Sequence, residues 1–346
     1  MSTAIIIEET DANTTLHNLK VVQLPRPVPK ANQALVKISA AALNHREYWI
    51  LKGQYGVAVQ YNTIIGADAV GTIVELNGES SNLKIGDRVV VTPAEGWEKD
   101  SRGPEGEYSI RGASKSQGVF TQYRALGFNE IFKAPAHLTD AEAAALPLAG
   151  LTAYRALFTK GQVAKGHNVL ITGIGGGVAV FALQFAVAAG ANVYVTSSDD
   201  AKIARATELG AKGGVNYRKA NWEDDLLKLT GGQKIDVTID GASGVGAEII
   251  MNKVLATGGI FVSYGQTAGE FTIGWGPIIN NVEFRGSTMG SNAEFEQTLK
   301  FVEKHKIHPV VSRVWQGLEH TEEALHFLKN GAQFGKLVVE VQHDHE

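Results

Sequence analysis

Residues Asn168 to Gly190, NVLITGIGGGVAVFALQFAVAAG, set four glycines (Gly173, Gly175, Gly176 and Gly177) between a short apolar run and a long one. Glycines in such a turn let the backbone approach phosphate oxygens. The exposed N–H groups and the dipole of the helix that follows favour negative charge there. The chemistry predicted is pyrophosphate binding, and hence a dinucleotide. The G-x-G-x-x-G spacing is not met literally. Ala179 stands where the pattern's last glycine falls, a position that needs only close helix–strand packing. A tight turn without a ligand is the competing reading, and the surrounding elements decide between the two.

Around this turn, strands and helices alternate. A strand is predicted over Asn168–Thr172, then a helix to Gly190, a strand over Asn192–Ser197 and a helix over Asp199–Leu209 closed by Gly210. Further strands fall at Ile235–Asp240 and Gly259–Tyr264. Such alternation means βαβ units and a parallel sheet. The first 125 residues have another texture, with β-branched runs at Ala34–Leu43, Ala69–Leu76 and Arg88–Thr92 and an extended connection at Pro25–Pro29. Residues 93–118 are polar and glycine-rich and read as a long surface loop. Thr139-Asp140-Ala141-Glu142 is a capping box that opens a helix ending before Pro147, and a second helix runs from Gly150 to about Lys160. The tail returns to the texture of the first residues, with helices at Ala293–Lys306 and Thr321–Lys329 and strands at Val311–Val314 and Gly335–Val341. The fold class expected is α/β, a doubly wound Rossmann sheet (126–289) inserted into a β-rich domain (1–125 and 290–346).

Composition narrows the function classes. A chain of 346 residues suggests two domains, and a net charge of −4 gives no basic face for nucleic acid. The absence of cysteine excludes disulfides and any cysteine-ligated zinc or iron–sulfur centre. The opening MSTAIIIEET has too short an apolar run, with no basic residue before it, for a secretory signal. No apolar run approaches the ~20 residues that span a bilayer. A cytoplasmic protein without nucleic-acid or membrane partners is expected.

Six segments, in this order and spacing, resemble the medium-chain dehydrogenase/reductase superfamily, in particular its zinc-independent, quinone-oxidoreductase-like branch. They are LNHREYWILKG (Leu43–Gly53), GADAVGTIVELNG (Gly66–Gly78), LKIGDRVVV (Leu83–Val91), AAALPLAGLTAYRAL (Ala143–Leu157), VLITGIGGGVA (Val169–Ala179) and FGKLVVEV (Phe334–Val341). The resemblance covers nearly the whole chain and implies a GroES-like catalytic domain beside the Rossmann domain. Zinc-dependent relatives have a cysteine at the position of Asn44, a histidine at that of Ala67 and, usually, a cysteine near Leu148. Alanine and leucine offer zinc no donor, so a metal-free site is expected.

In such a site, hydride transfer from a reduced nicotinamide leaves negative charge on a carbonyl or enolate oxygen, and hydrogen-bond donors must meet it. Asn44-His45-Arg46-Glu47-Tyr48-Trp49 holds the densest set of candidates. By motif position Asn44 touches the nicotinamide ribose or the substrate, and His45 faces the pyrophosphate. Tyr48, Trp49 and Tyr55 are pocket walls, with Asn44, Tyr48 and Tyr55 as the catalytic candidates. A polar helix start with core aromatics is the alternative, and Arg46 and Glu47 are left as a pair or as solvated charges. Cofactor contacts are expected from Thr152, Gly175, Gly176, Gly177, Val178 and Tyr264, the last as a wall. Ser197 stands where NAD-dependent relatives carry an acidic residue on the ribose. That permits NADP, with Ser198, Lys202 and Tyr217 as donors to its 2′-phosphate and Asp199 and Asp200 counting against it. The remaining histidines, including those of the HDHE tail, read as solvated. The expected function is zinc-independent hydride transfer from NADPH to small carbonyl compounds: aldehydes, α,β-unsaturated carbonyls or quinones. The alternatives are a quinone reductase in the strict sense and a non-catalytic NADPH-binding protein. The resemblance also implies a homodimer through the edge of the cofactor-domain sheet.

Overall fold

The isoleucine run near the start is a strand. In the computed structural model, which describes residues 1–9, 16–56, 58–113 and 116–343, β1 (Ser2–Ile7) pairs antiparallel with β2 (Leu19–Leu24). The long β3 (Gln33–Leu43) leads into α1 (His45–Leu51). There follow β4 (Asp68–Asn77), β5 (Arg88–Val91), the short pair β6 (Ala94–Glu95) and β7 (Ser109–Ile110), β8 (Tyr123–Gly127) and β9 (Ile131–Lys133). Helices α2 (Asp140–Ala145) and α3 (Pro147–Tyr154) come next. In β3 the alanines at 40–42 are fully buried, where bulkier side chains would hold its neighbours away. Gly66 has φ +84°, and a Cβ there would stand 2.1 Å from the Phe120 ring. A glycine is therefore required for the chain to enter β4 at this place.

After α3 the helix widens into a π-helical turn, Arg155–Lys160. The second sheet is built from β10 (Asn168–Ile171), β11 (Asn192–Ser197), β12 (Gly213–Asn216), β13 (Ile235–Asp240), β14 (Leu255–Ser263) and β15 (Glu283–Gly286). Between them lie α4 (Gly177–Ala188), α5 (Asp200–Glu208), α6 (Trp222–Leu229), α7 (Gly244–Ile249) and α8 (Trp275–Ile279). All strand pairs are parallel, in the order β12-β11-β10-β13-β14-β15. The order reverses between β10 and β13, the kind of switch point at which open α/β sheets bind ligands. Helix α4 is apolar nearly all round and buries Ala179 through Leu183 with Phe185 and Ala186, as a core helix must.

The tail, α9 (Asn292–His305), β16 (Val311–Gln316), α10 (Thr321–Lys329) and β17 (Lys336–Glu340), goes back to the first sheet. That sheet runs β16-β17-β3-β4-β5-β9, with β8 also on β3. No helix among the described residues is long and apolar enough to cross a membrane.

The compact units are Met1–Ala149 with Gly290–Glu346, and Gly150–Met289. The first boundary thus lies 24 residues beyond the expected break after residue 125. The reason is pairing: β8 bonds to β3, and β9 to β5, so both belong to the first sheet. Helix α2 ends before Pro147 as expected, whereas the second helix starts at Pro147 and not at Gly150, with the proline at a first-turn position where a missing N–H costs nothing. Segment 93–118 is not a plain surface loop either, since Trp97 and Arg111 are buried in it. Arg111 is held by the Thr92 carbonyl (2.8 Å), Glu95 (2.6 Å) and Glu130 (2.9 Å). The Glu105 carboxylate takes the backbone N–H groups of Glu98 (2.9 Å), Lys99 (2.7 Å) and Asp100 (2.6 Å). These polar side chains satisfy buried or turning backbone, which is why a polar composition read as solvent-facing.

Candidate active site

Asn44 is the N-cap of α1, with extended backbone (φ −124°, ψ 155°). An asparagine there ordinarily accepts from the first turn of its own helix. This one does not. Its Nδ2 donates to Asp68 Oδ2 (2.9 Å), and its Oδ1 accepts from Lys336 Nζ (2.5 Å). Lys336 also donates to the Leu43 carbonyl (2.8 Å) and pairs with Asp68 Oδ2 (3.0 Å). The other Asp68 oxygen accepts the backbone N–H of Leu148 (2.8 Å). Asp68 is 0% and Lys336 3% exposed, and burial on this scale is tolerated only because each charge has its partner.

Glu47 completes the cap from the other side by accepting the Asn44 N–H (2.5 Å). Burial pushes its carboxyl above the ordinary range, opposed by Arg46 and Lys336. Arg46 pairs with Glu47 (2.9 Å), donates to the Arg111 carbonyl (2.8 Å) and lies 5.0 Å from the Tyr55 ring centre. Of the two readings for Arg46 and Glu47, the buried pair is the one found. His45 packs on Tyr48 and Trp49, ring centres 6.1 and 6.0 Å away. Desolvation there holds its imidazole below the ordinary 6.5. Lys52 lies 4.8 Å from the Trp49 ring and Lys329 5.7 Å from that of Tyr48.

In the second unit, the glycine turn is fastened at the switch point. Thr172 Oγ1 donates to Asp240 Oδ1 (2.6 Å), and Asp240 Oδ2 accepts the Ser243 N–H (2.7 Å), joining the ends of β10 and β13. Burial raises the Asp240 carboxyl. Gly175 has φ +120°, and a Cβ on it would stand 2.8 Å from Lys202 Cδ, so the Lys202 stem lies over the turn. Gly176 caps α4, and Gly177 and Val178 begin it. Ser197 ends β11, buried, with its Oγ accepting the Asp199 N–H (3.1 Å). Tyr217 bonds through its N–H to the Ser197 carbonyl (3.1 Å) and is 47% exposed as a residue. The two acidic neighbours have other duties: Asp199 caps α5 through the Ala201 N–H (2.8 Å), and Asp200 pairs with Lys219 (3.5 Å). Tyr264 follows β14 with its ring against Gly241, where a Cβ would meet it at 2.5 Å. Burial and the Asp240 charge push its phenol well above the ordinary range. Thr152, on α3, reaches Met289 Sδ (3.7 Å).

The predicted residues therefore gather in two sets. Asn44, His45, Tyr48 and Tyr55 surround α1 in one unit. The glycines, Val178, Ser197, Ser198, Lys202 and Tyr217 stand at the β10 and β11 ends of the other, with Tyr264 at the end of β14 and Thr152 on α3. The expectation of solvated histidines fails at His343, whose Nε2 bonds to the Ile38 carbonyl (2.7 Å) and whose ring packs on Tyr123, and at His137, whose Nε2 lies 3.1 Å from the Ile307 carbonyl. His345 lies outside the described residues.

Residues 30–136 match the family model for the alcohol dehydrogenase GroES-like domain, and residues 177–304 that for zinc-binding dehydrogenases. A zinc-type alcohol dehydrogenase-like protein, YogA, of Leptosphaeria maculans is 40% identical over 93% of this chain and 94% of its own length. The chain belongs to the medium-chain dehydrogenase/reductase superfamily. It is an oxidoreductase of the alcohol dehydrogenase family. Among solved structures, a putative alcohol dehydrogenase from Sinorhizobium meliloti 1021 matches with TM-score 0.88 and 30% identity over 98% of both chains. An NAD-dependent alcohol dehydrogenase matches with TM-score 0.86 and 30% identity over 98% of this chain and 100% of its own.

The zinc in the names of relatives meets a donor set that does not fit it. At the three positions where the resemblance sets the ligands of zinc-dependent relatives, Ala67 and Leu148 carry no donor, and the Asn44 amide already answers a buried ammonium and a carboxylate. Among the described residues no group of three or more His, Cys, Asp or Glu side chains could hold a metal. The residues that sequence reasoning missed in this chain are Asp68 and Lys336. Both lie inside segments that carried the resemblance, and a lysine in the apolar strand GKLVVEV was the signal.

Proposed function

We propose that this protein is a metal-free reductase that passes hydride from NADPH to small carbonyl compounds: aldehydes, α,β-unsaturated carbonyls or quinones. The observation that carries the reading is the state of Asn44, whose amide stands at the metal-ligand position and is held by Lys336 and Asp68. Charge developing on the acceptor oxygen is met by hydrogen-bond donors of the α1 region, with Tyr48 and Tyr55 as walls and His45 toward the cofactor's phosphates. The dinucleotide lies on Gly175, Gly176, Gly177 and Val178, with Thr152 and Tyr264 beside the nicotinamide. Tyr264 is a wall, since a phenol whose pKa is raised this way stays protonated and releases no proton near neutrality.

The choice of NADPH is supported by β11 ending in Ser197, not in a carboxylate, which permits a 2′-phosphate without selecting it. With Ser197 buried, the 2′-phosphate is left to Ser198, Lys202 and Tyr217. The NAD-dependent neighbour makes this the sharper half of the reading. Mixing the protein with NADPH or NADH and a panel of aldehydes, enones and quinones, while following loss of nicotinamide absorbance, tests both halves. Turnover with NADPH supports the reading; equal efficiency with NADH refutes the cofactor half. Tight NADPH binding without oxidation by any acceptor refutes the reductase half and leaves a binding protein.

The protein is also proposed to be a homodimer through β15, the edge strand of the parallel sheet. Trp275 is 76%, Ile279 72% and Phe284 43% exposed along this edge. In an antiparallel pairing of two β15 strands centred on Phe284, Glu283 of one copy falls opposite Arg285 of the other, a favourable cross-strand pair.

A further inference from the structure

Lys336 is saturated where it sits. An ammonium has three N–H donors. Here it has three acceptors within 3.0 Å, the Leu43 carbonyl, Asn44 Oδ1 and Asp68 Oδ2, so none is left for a ligand. Its effect passes through Asn44. Turned over, the amide would set its NH2 against the ammonium and its oxygen against the Asp68 carboxylate, so the two charges decide its orientation. Of the two Nδ2 hydrogens, Asp68 takes one, and the other has no partner among the described residues. The same group joins four places in the chain: Asn44 at the start of α1, Asp68 at the start of β4, Leu148 in the first turn of α3 and Lys336 at the start of β17.

We propose that Lys336 is a positioning residue. With Asp68 it ties these segments together and fixes Asn44 as a one-way hydrogen-bond donor toward the acceptor. The proposal rests on the metal-free reductase reading for what the donor serves, though not for its existence. A donor held in place before the reaction acts on developing charge without reorganising, and that advantage depends on position. A merely structural lysine would have to hold the fold and leave the amide indifferent.

Two measurements on the whole protein decide. In the wild type, the two Asn44 Nδ2 protons, followed by NMR, should differ: one slow to exchange with solvent and one fast. Equal exchange of the two overturns the proposal. In Lys336→Met, kcat with NADPH and an enone should fall about 10- to 100-fold. The NADPH dissociation constant should hold, and the Asn44 amide signals should move. Lys336→Arg, which keeps the charge and donors, should restore most of the rate. A folded Lys336→Met with wild-type kcat, or with unmoved Asn44 signals, overturns it. If the wild type reduces nothing in the panel, the reductase reading fails, and the amide exchange still decides whether Asn44 is held.

Discussion

At the scale of single residues, the end of β11 is where the proposed preference for NADPH can be tested. Aspartate at 197 can keep the acceptor that Ser197 Oγ gives to the Asp199 N–H, so Ser197→Asp should fold. Its charge would oppose a 2′-phosphate: two unit charges ~4 Å apart at an effective dielectric near 20 interact by about 4 kcal/mol. NADPH binding should weaken by about 100-fold or more, each ~1.4 kcal/mol being tenfold, while NADH binding holds or improves. Fluorescence titration of both cofactors checks this; unchanged NADPH affinity removes Ser197 from the cofactor site. His45 gives a second expectation, in pH. Its folded pKa lies below the unfolded value, so between the two the unfolded chain binds more protons. Any stability it contributes is therefore present above about pH 6.5 and declines as pH falls toward the folded pKa. An NMR titration should place the His45 midpoint below 6.5, and a midpoint at or above that value contradicts the packing on Tyr48 and Trp49. The candidate donors around Asn44 were legible in the sequence because they are contiguous. Lys336 was not, since its partners lie 268 and 292 positions away, and a lysine in an apolar strand hints at burial without naming what it pairs with.

At the scale of elements, those with strong local chemistry were legible. Strands β11 and β13 and helix α10 fall at the expected residues, because alternating textures, caps and a closing glycine mark them. The segment between β5 and β8 was not, because its order comes from single carboxylates and a buried guanidinium instead of a hydrophobic period. Glu105 shows how such order depends on charge. The backbone N–H groups of Asp100, Lys99 and Glu98 hold its carboxyl below the ordinary range. A folded pKa below the unfolded one means that the stabilisation is present above the unfolded value and is lost as pH falls through the folded one. Glu105→Ala should therefore speed hydrogen exchange of the 98, 99 and 100 amides by about tenfold or more at neutral pH. Acidifying the wild type below about pH 4 should lower the protection of the same amides relative to their intrinsic exchange rate at that pH. Exchange that is fast already, or insensitive to either change, would show that the carboxylate does not order the loop.

At the scale of the whole molecule, the β15 edge makes a quantitative claim. If two copies pair there, Trp275→Glu or Ile279→Glu should raise the dimer dissociation constant about tenfold or more, read as a fall in sedimenting mass on dilution. A wild type that sediments as a monomer at micromolar concentration removes the interface altogether. The two-unit arrangement was legible from the change of texture along the chain. The first boundary was not, because β8 and β9 carry no composition that distinguishes them from a linker, and only pairing with β3 and β5 assigns them. That pairing pattern also has a consequence for biosynthesis. The unit Gly150–Met289 is contiguous, and contiguous domains fold as units while synthesis continues. The first sheet cannot close that early, because β3 waits for β17, and Leu43 waits for a lysine 293 positions downstream. Until the last strand leaves the ribosome, Asp68 has no buried cation and the side-chain carbonyl of Asn44 nothing to hold it. The first unit is thus completed only after the second.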